Sequence, residues 1–270
     1  MRILLGQLTP HRGEPARNLD RIEALLEGTG VELAVFPELF LSGYRTGDRM
    51  HRLAVRPGDE LARRLAELAR RHATHLAVGA PLALDERPGE VANAVLWVTP
   101  SGALFSQAKR YLPSFGPFEE GHFFSASNAS VRVPLGEHWA GLAICYDAFF
   151  PEVFRSLALD GAELFVVISA SPVTSGKLFE KVLPARAVEN ACPLLFVNRV
   201  GVEDGIVFGG GSGGFDVRGE LLAFSARPAP NGEPEERLLE GELDLAQARR
   251  WRPFRPVLRD RASRPGGPSS

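Results

Sequence analysis

Cysteine is nearly absent from this 270-residue chain, which contains only Cys145 and Cys192. Two thiols do not make a disulfide scaffold, and a reducing cytoplasm suits the chain better than an oxidising compartment. Lysine is also scarce. Of 31 lysine and arginine residues only Lys109, Lys177 and Lys181 are lysine. A lysine kept in so arginine-rich a chain invites a reason, because a guanidinium does not reproduce its compact charge. No apolar run reaches the roughly 18–20 residues that cross a bilayer, so no membrane partner is expected. The N-terminus, Met1-Arg2-Ile3-Leu4-Leu5-Gly6-Gln7-Leu8, reads as a strand and lacks the length and cleavage site of a secretory leader. A formal net charge of −2 gives no basic field for nucleic acid. Metal-ligand spacing is missing too, since His72 and His75 are a weak pair on a polar helix end. No metal or other cofactor is expected. The run Gly209-Gly210-Gly211-Ser212-Gly213-Gly214 lacks the context of a phosphate cradle and reads as a flexible loop.

What remains is an ordinary globular composition, 44% hydrophobic and 24% charged. Its length suits one large α/β domain over 1–250, with a tail over 251–270 that docks on a partner and then becomes disordered from Ser263. Strand and helix patterns alternate. Strands are predicted at 2–8, 32–36, 75–80, 92–98, 103–108, 164–169, 194–198, 214–217, 221–224 and 238–243. Helices are predicted at 16–28, 59–73, 151–160 and 178–191, and 227–236 reads as a loop.

Three apolar strands each end on a reactive side chain. Leu33-Ala34-Val35-Phe36-Pro37 runs into Glu38, Ala103 to Ala108 runs into Lys109, and Gly141-Leu142-Ala143-Ile144 runs into Cys145. Strand ends are where open α/β sheets place chemistry. Tyr146-Asp147 and then Phe150-Pro151-Glu152, a helix entrance, follow the thiol. Free backbone N–H groups at such an elbow stabilise a thiolate and a developing oxyanion. Cys192, beside Pro193, reads as a buried and inert residue. His122 and His138 have no identifiable partners, and Arg186 and Glu189 read as packing or salt-bridge residues.

Glu38, Lys109 and Cys145, in this order and with these flanks, resemble the Glu-Lys-Cys triad of the nitrilase superfamily of carbon–nitrogen hydrolases. The resemblance runs from Met1 to about Leu245. It implies a four-layer αββα sandwich with the triad at the ends of central strands. It further implies that Cys145 attacks a carbonyl carbon, that Glu38 is the base, and that Lys109 with the Tyr146 N–H holds the oxyanion. The stretch Phe118-Glu119-Glu120 resembles the place of a second active-site glutamate, which points to Glu120, with Glu119 as the fallback. By the same resemblance Phe115, Tyr146, Ser169, Ala170 and Ser171 line the substrate pocket, and the chain forms a homodimer or higher homo-oligomer.

The motifs narrow the reaction class. Nitrile-cleaving members carry Cys-Trp-Glu where this chain has Cys145-Tyr146-Asp147, and Ala148-Phe149-Phe150 departs from the carbamoylase pattern. The segments Ser169 to Lys177 and Val197 to Gly201 look most like the glutaminase parts of NAD synthetases, although those carry Cys-Glu-Asp at the nucleophile. The expected activity is that of a thiol amidase acting on a small carboxamide. The rivals are a glutaminase-like subunit passing ammonia to a separate synthetase, and an acyl transferase using the same thioester.

Overall fold

The computed structural model describes residues 1–226 and 233–261. Two mixed sheets account for most of it. The first holds β1 (Arg2–Gln7), β2 (Leu33–Val35), β3 (His75–Ala83), β4 (Val91–Val98), β5 (Leu104–Ala108) and β13 (Arg237–Glu242), in the order β13-β1-β2-β3-β4-β5. The second holds β6 (Arg132–Leu135), β7 (His138–Ile144), β8 (Leu164–Ser169), β9 (Leu194–Asn198) and β12 (Gly213–Phe215), in the order β12-β9-β8-β7-β6. Neighbours β1, β2 and β3 run parallel, as do β7, β8 and β9. Parallel pairs need crossover helices, and these sit on the outer faces.

Side-chain alternation in the first sheet explains the layering. Leu4, Ala34, Leu76, Val78 and Leu96 pack outward with residues of α1 (Pro15–Leu26) and α3 (Glu60–His72). Ile3, Leu5, Leu33, Val35, Ala77 and Trp97 pack inward, in one core with Leu142, Ile144, Val166 and Phe196 of the second sheet. That sheet is covered by α5 (Pro151–Leu159) and α6 (Gly176–Asn190). The result is the four-layer αββα sandwich that the sequence predicts. Short helices α2 (Met50–Leu53), α4 (Glu120–Phe123) and α7 (Gln247–Trp251) complete the set. Among the described residues no helix is long and apolar enough to cross a membrane.

The structure departs from the predicted elements in several places. No strand forms over 221–224, where Leu221 makes only an isolated bridge to Phe215. The pair β6–β7 begins well before the predicted run. Strands take both ends of the glycine-rich run and leave Gly210 to Ser212 as a connection between them. Gly209 ends β11 (Ile206–Gly209), which pairs with β10 (Val200–Glu203), and Gly213 begins β12. The hairpin signal was there to read: Asp204-Gly205 sits between alternating segments and both residues have positive φ, +46° and +81°. His138 does have a partner, its Nδ1 lying 3.0 Å from Glu163 Oε2. The disorder predicted from Ser263, and most of the loop at 227–236, lie outside the described residues.

Candidate active site

Local backbone geometry aims three side chains at one point between the sheets. After β2 the chain turns sharply through Pro37 to Leu39, whose φ is +51°. Gly79 of β3 makes this turn possible. A Cβ there would lie 2.1 Å from the Pro37 carbonyl oxygen and 2.5 Å from the Leu39 nitrogen. After β7, Cys145 also takes a left-handed conformation, φ +47°, at the start of a 3-10 turn over Cys145–Phe149. A side chain at positive φ is disfavoured and needs bracing. Asp147 provides it. Its buried carboxylate accepts hydrogen bonds from the N–H groups of Ile144 (3.1 Å), Arg110 (3.1 Å) and Tyr111 (2.9 Å). The elbow of the thiol is thereby tied to the segment that carries Lys109. Burial pushes the Asp147 carboxyl up to about 6, against the pull of Lys109 and these N–H donors.

The Lys109 ammonium is fully buried and donates to Glu38 Oε1 and Glu120 Oε1, each at 2.7 Å. Glu38 is equally buried. Asn93 Nδ2 donates to its Oε1 at 2.6 Å, and the Ala170 N–H donates to its Oε2 at 2.6 Å. Glu120 opens α4 and takes a second, short hydrogen bond from the Tyr44 hydroxyl. It is Glu120, not the exposed Glu119, that reaches the lysine. Burial would lower the Lys109 pKa, but Glu120 and Glu38 overcome this and hold it above the usual range. Burial pushes Glu120 up to about 7; Lys109 opposes and Glu38 reinforces the rise. Burial and Glu38 push the Cys145 thiol well up, and Lys109 and the neighbouring Ser169 hydroxyl offset this only in part. These influences favour the protonated sulfur, which agrees with the expectation of Glu38 as a base and works against the thiolate that the elbow alone would favour.

The remaining expected pocket residues divide. Ser169 ends β8 beside the sulfur. Ala170 spends its N–H on Glu38, and Ser171 spends its own on Asn198 Oδ1 at 2.9 Å. Phe115, 53% exposed, meets the Tyr146 ring edge-on with centroids 5.2 Å apart, and Phe150 packs against the other side of Tyr146. A cavity of about 260 Å³ lies beside Glu120, lined by Tyr44, Arg45, Met50, Glu119, Phe123 and Phe124 among others. Among the described residues no cluster of three or more His, Cys, Asp or Glu side chains could hold a metal ion. Cys192 is buried away from this site, its sulfur 3.8 Å from the Ala162 carbonyl oxygen.

Asn93, Tyr44 and Asp147 escape the sequence reading. Signals existed for two of them. Asn93 is the one polar residue in the buried strand Val91–Val98, and Tyr44 is one of only three tyrosines in the chain.

Residues 2–253 match the model of the carbon-nitrogen hydrolase family. The chain is similar to an (R)-stereoselective amidase from Pseudomonas sp, 33% identical over 97% of this chain and 91% of that protein. It is 33% identical to the glutamine-dependent NAD(+) synthetase of Thermotoga maritima over 91% of its length but spans only 42% of that longer protein. Among solved structures it superposes, with a TM-score of 0.80, 30% identity and 97% and 94% coverage, on a variant of the amidase from Nesterenkonia sp. AN1. That structure shows the acetamide moiety of fluoroacetamide added covalently at the active site cysteine. With its buried carboxylate, ammonium and thiol brought together between two sheets, the chain belongs to the carbon–nitrogen hydrolases of the nitrilase superfamily.

Proposed function

We propose that the protein is a thiol amidase that hydrolyses a small carboxamide to a carboxylic acid and ammonia. The observation that carries this reading is the Lys109 ammonium held at 2.7 Å by both Glu38 and Glu120, beside a thiol that burial pushes toward its protonated form. Such a thiol requires a base, and Glu38 is its nearest carboxylate influence. The Cys145 sulfur bonds to the carbonyl carbon while its proton passes to Glu38. The oxyanion is held by Lys109 and the Tyr146 N–H. The C–N bond then breaks, Glu38 gives the proton to the departing ammonia, and a thioester remains. Water attacks the thioester with Glu38 again as base, which releases the acid and restores the thiol. Glu120 holds the lysine through a second hydrogen bond.

A second reading has one observation in its favour: the match to part of a glutamine-dependent NAD(+) synthetase, which makes glutamine a candidate amide. Ammonia release from acetamide, propionamide and glutamine, measured for wild type and Cys145→Ala together, tests both. Release from any of them is expected to vanish in Cys145→Ala. Release from glutamine alone would select the second reading, and unchanged release in the variant would end the thiol mechanism. Added hydroxylamine diverts product to a hydroxamate if acyl transfer competes with water.

A further inference from the structure

The site stands on a polar chain that the hydrolysis mechanism does not use. Arg199, at the end of β9, is fully buried and pairs through Nη1 with Glu203 Oε1 at 2.5 Å. Its guanidinium lies 4.1 Å over the Phe208 ring, and its Nη2 is buried with no partner among the described residues. Glu203 Oε2 accepts from the N–H groups of Tyr44 (3.0 Å) and Arg45 (2.8 Å). Phe208, on the other strand of the hairpin, meets the Tyr44 ring at an angle, with centroids 5.9 Å apart. At the hairpin tip Asp204 pairs with Arg12 at 2.7 Å and with Arg45 at 3.7 Å. The β10–β11 hairpin thus grips Tyr44 by backbone and ring at once. The Tyr44 hydroxyl is one of the two donors to Glu120 Oε1.

We propose that the β10–β11 hairpin is a positioning device for the active site, in which Arg199 and Glu203 act through Tyr44 to orient the Glu120 carboxylate. This rests on the thiol chemistry above. Stability alone does not explain the pair, because a buried ion pair holds a fold no better than apolar residues of the same shape. Geometry does explain it. A carboxylate offers acceptors on both oxygens, one for Arg199 and one for two backbone N–H groups. A carboxamide offers one acceptor and sets a donor against a donor at the other end. The loop at Tyr44 is close-fitting besides, since a Cβ on Gly43 (φ +81°) would sit 3.2 Å from Glu203 Oε1.

The hydroxyl of Tyr44 favours the ionised form of Glu120. Without it Glu120 keeps its proton to higher pH. At about pH 7 to 8, where Glu120 is then neutral in the variant and ionised in wild type, a negative charge near Cys145 is gone and Lys109 is released toward the sulfur, so the sulfur reacts faster in that window. Iodoacetamide reads this without knowledge of the natural amide. The Cys145 sulfur bonds to its methylene carbon, iodide leaves, and the thiol proton passes to Glu38. Alkylation rates against pH, with the modified cysteine located by peptide mass, are to be compared for wild type, Tyr44→Phe, Glu203→Gln and the double variant. Each single variant is expected to alkylate about threefold faster than wild type between about pH 7 and 8, with the profiles meeting at higher pH where Glu120 is ionised throughout, and the double variant no faster. Phe208→Leu, which keeps the hairpin apolar, quickens alkylation in the same window and serves if Glu203→Gln does not fold. An unchanged rate between about pH 7 and 8 in both hairpin variants, or rate gains that multiply in the double variant, overturns the positioning role while the thiol chemistry stands. Failure of wild-type Cys145 to react ends the thiol reading and this one with it.

Discussion

At Cys145 the backbone, not the side chain, departs furthest from the ordinary. A left-handed residue between a strand and a 3-10 turn has to be held there, and Asp147 holds it with three backbone N–H groups. Removing the carboxylate leaves those donors buried without an acceptor, each at a cost of about 1–3 kcal/mol. Asp147→Ala should therefore lose about 3 kcal/mol or more in urea unfolding and most of its ammonia release. An unfolding midpoint within error of wild type would refute the bracing role. The triad itself was legible because each member ends an apolar strand. Asp147 was on the page as a residue but not as a brace, since its partners at Arg110 and Tyr111 lie 36 or more positions away in the chain.

Among the elements, β3 is the one whose sequence serves the site most directly without contributing a reactive group. Gly79 lets β3 pass against the Pro37-Glu38-Leu39 turn, with a Cβ leaving only 2.1 Å to the Pro37 oxygen. Because the obstacle is backbone, Gly79→Ala cannot be absorbed by a rotamer change. It should destabilise the protein by about 3 kcal/mol, at the upper end of overpacking penalties. Its residual folded fraction should release ammonia far more slowly than wild type. A fully active Gly79→Ala protein would contradict the account of the turn. The long strands and the helices α1, α3 and α5 were readable because burial on one face or both writes a period into the sequence. β6 was not, and of the β10–β11 hairpin only the Asp204-Gly205 turn was. Arg132–Leu135 is four residues long, and the valines Val202 and Val207 of the hairpin face outward, 61% and 40% exposed, so burial left no clear stripe. The predicted strand at 221–224 failed for the converse reason: an apolar run that finds no strand to pair with beyond one bridge stays irregular.

For the molecule as a whole, stability should carry a signature of His75. This ring opens β3, packs against Trp97 with centroids 5.5 Å apart, and has Nδ1 buried without a partner among the described residues. Burial pushes the imidazole down to about 4, while Glu32 pulls the other way. In the unfolded chain it protonates near its ordinary value of about 6.5. Between those values the unfolded state binds the extra proton, so stability falls as pH drops from about 6.5 to about 4 and this loss is complete below. Urea unfolding at pH 7 and pH 5 should show a smaller loss for His75→Phe than for wild type. Equal losses would remove His75 from the acid response.

Glu38 leaves a strand of one sheet and Cys145 a strand of the other, and the Ala170 N–H of the second sheet reaches across to Glu38. In the proposed mechanism these two residues, as base and nucleophile, work as the two jaws of a calliper closed on the sandwich. A slide of the layers by about an ångström can cost a hundredfold in rate without breaking a single strand. Catalytic silence in this protein would then be the earliest symptom of a loosened core, arriving while its secondary structure is still whole.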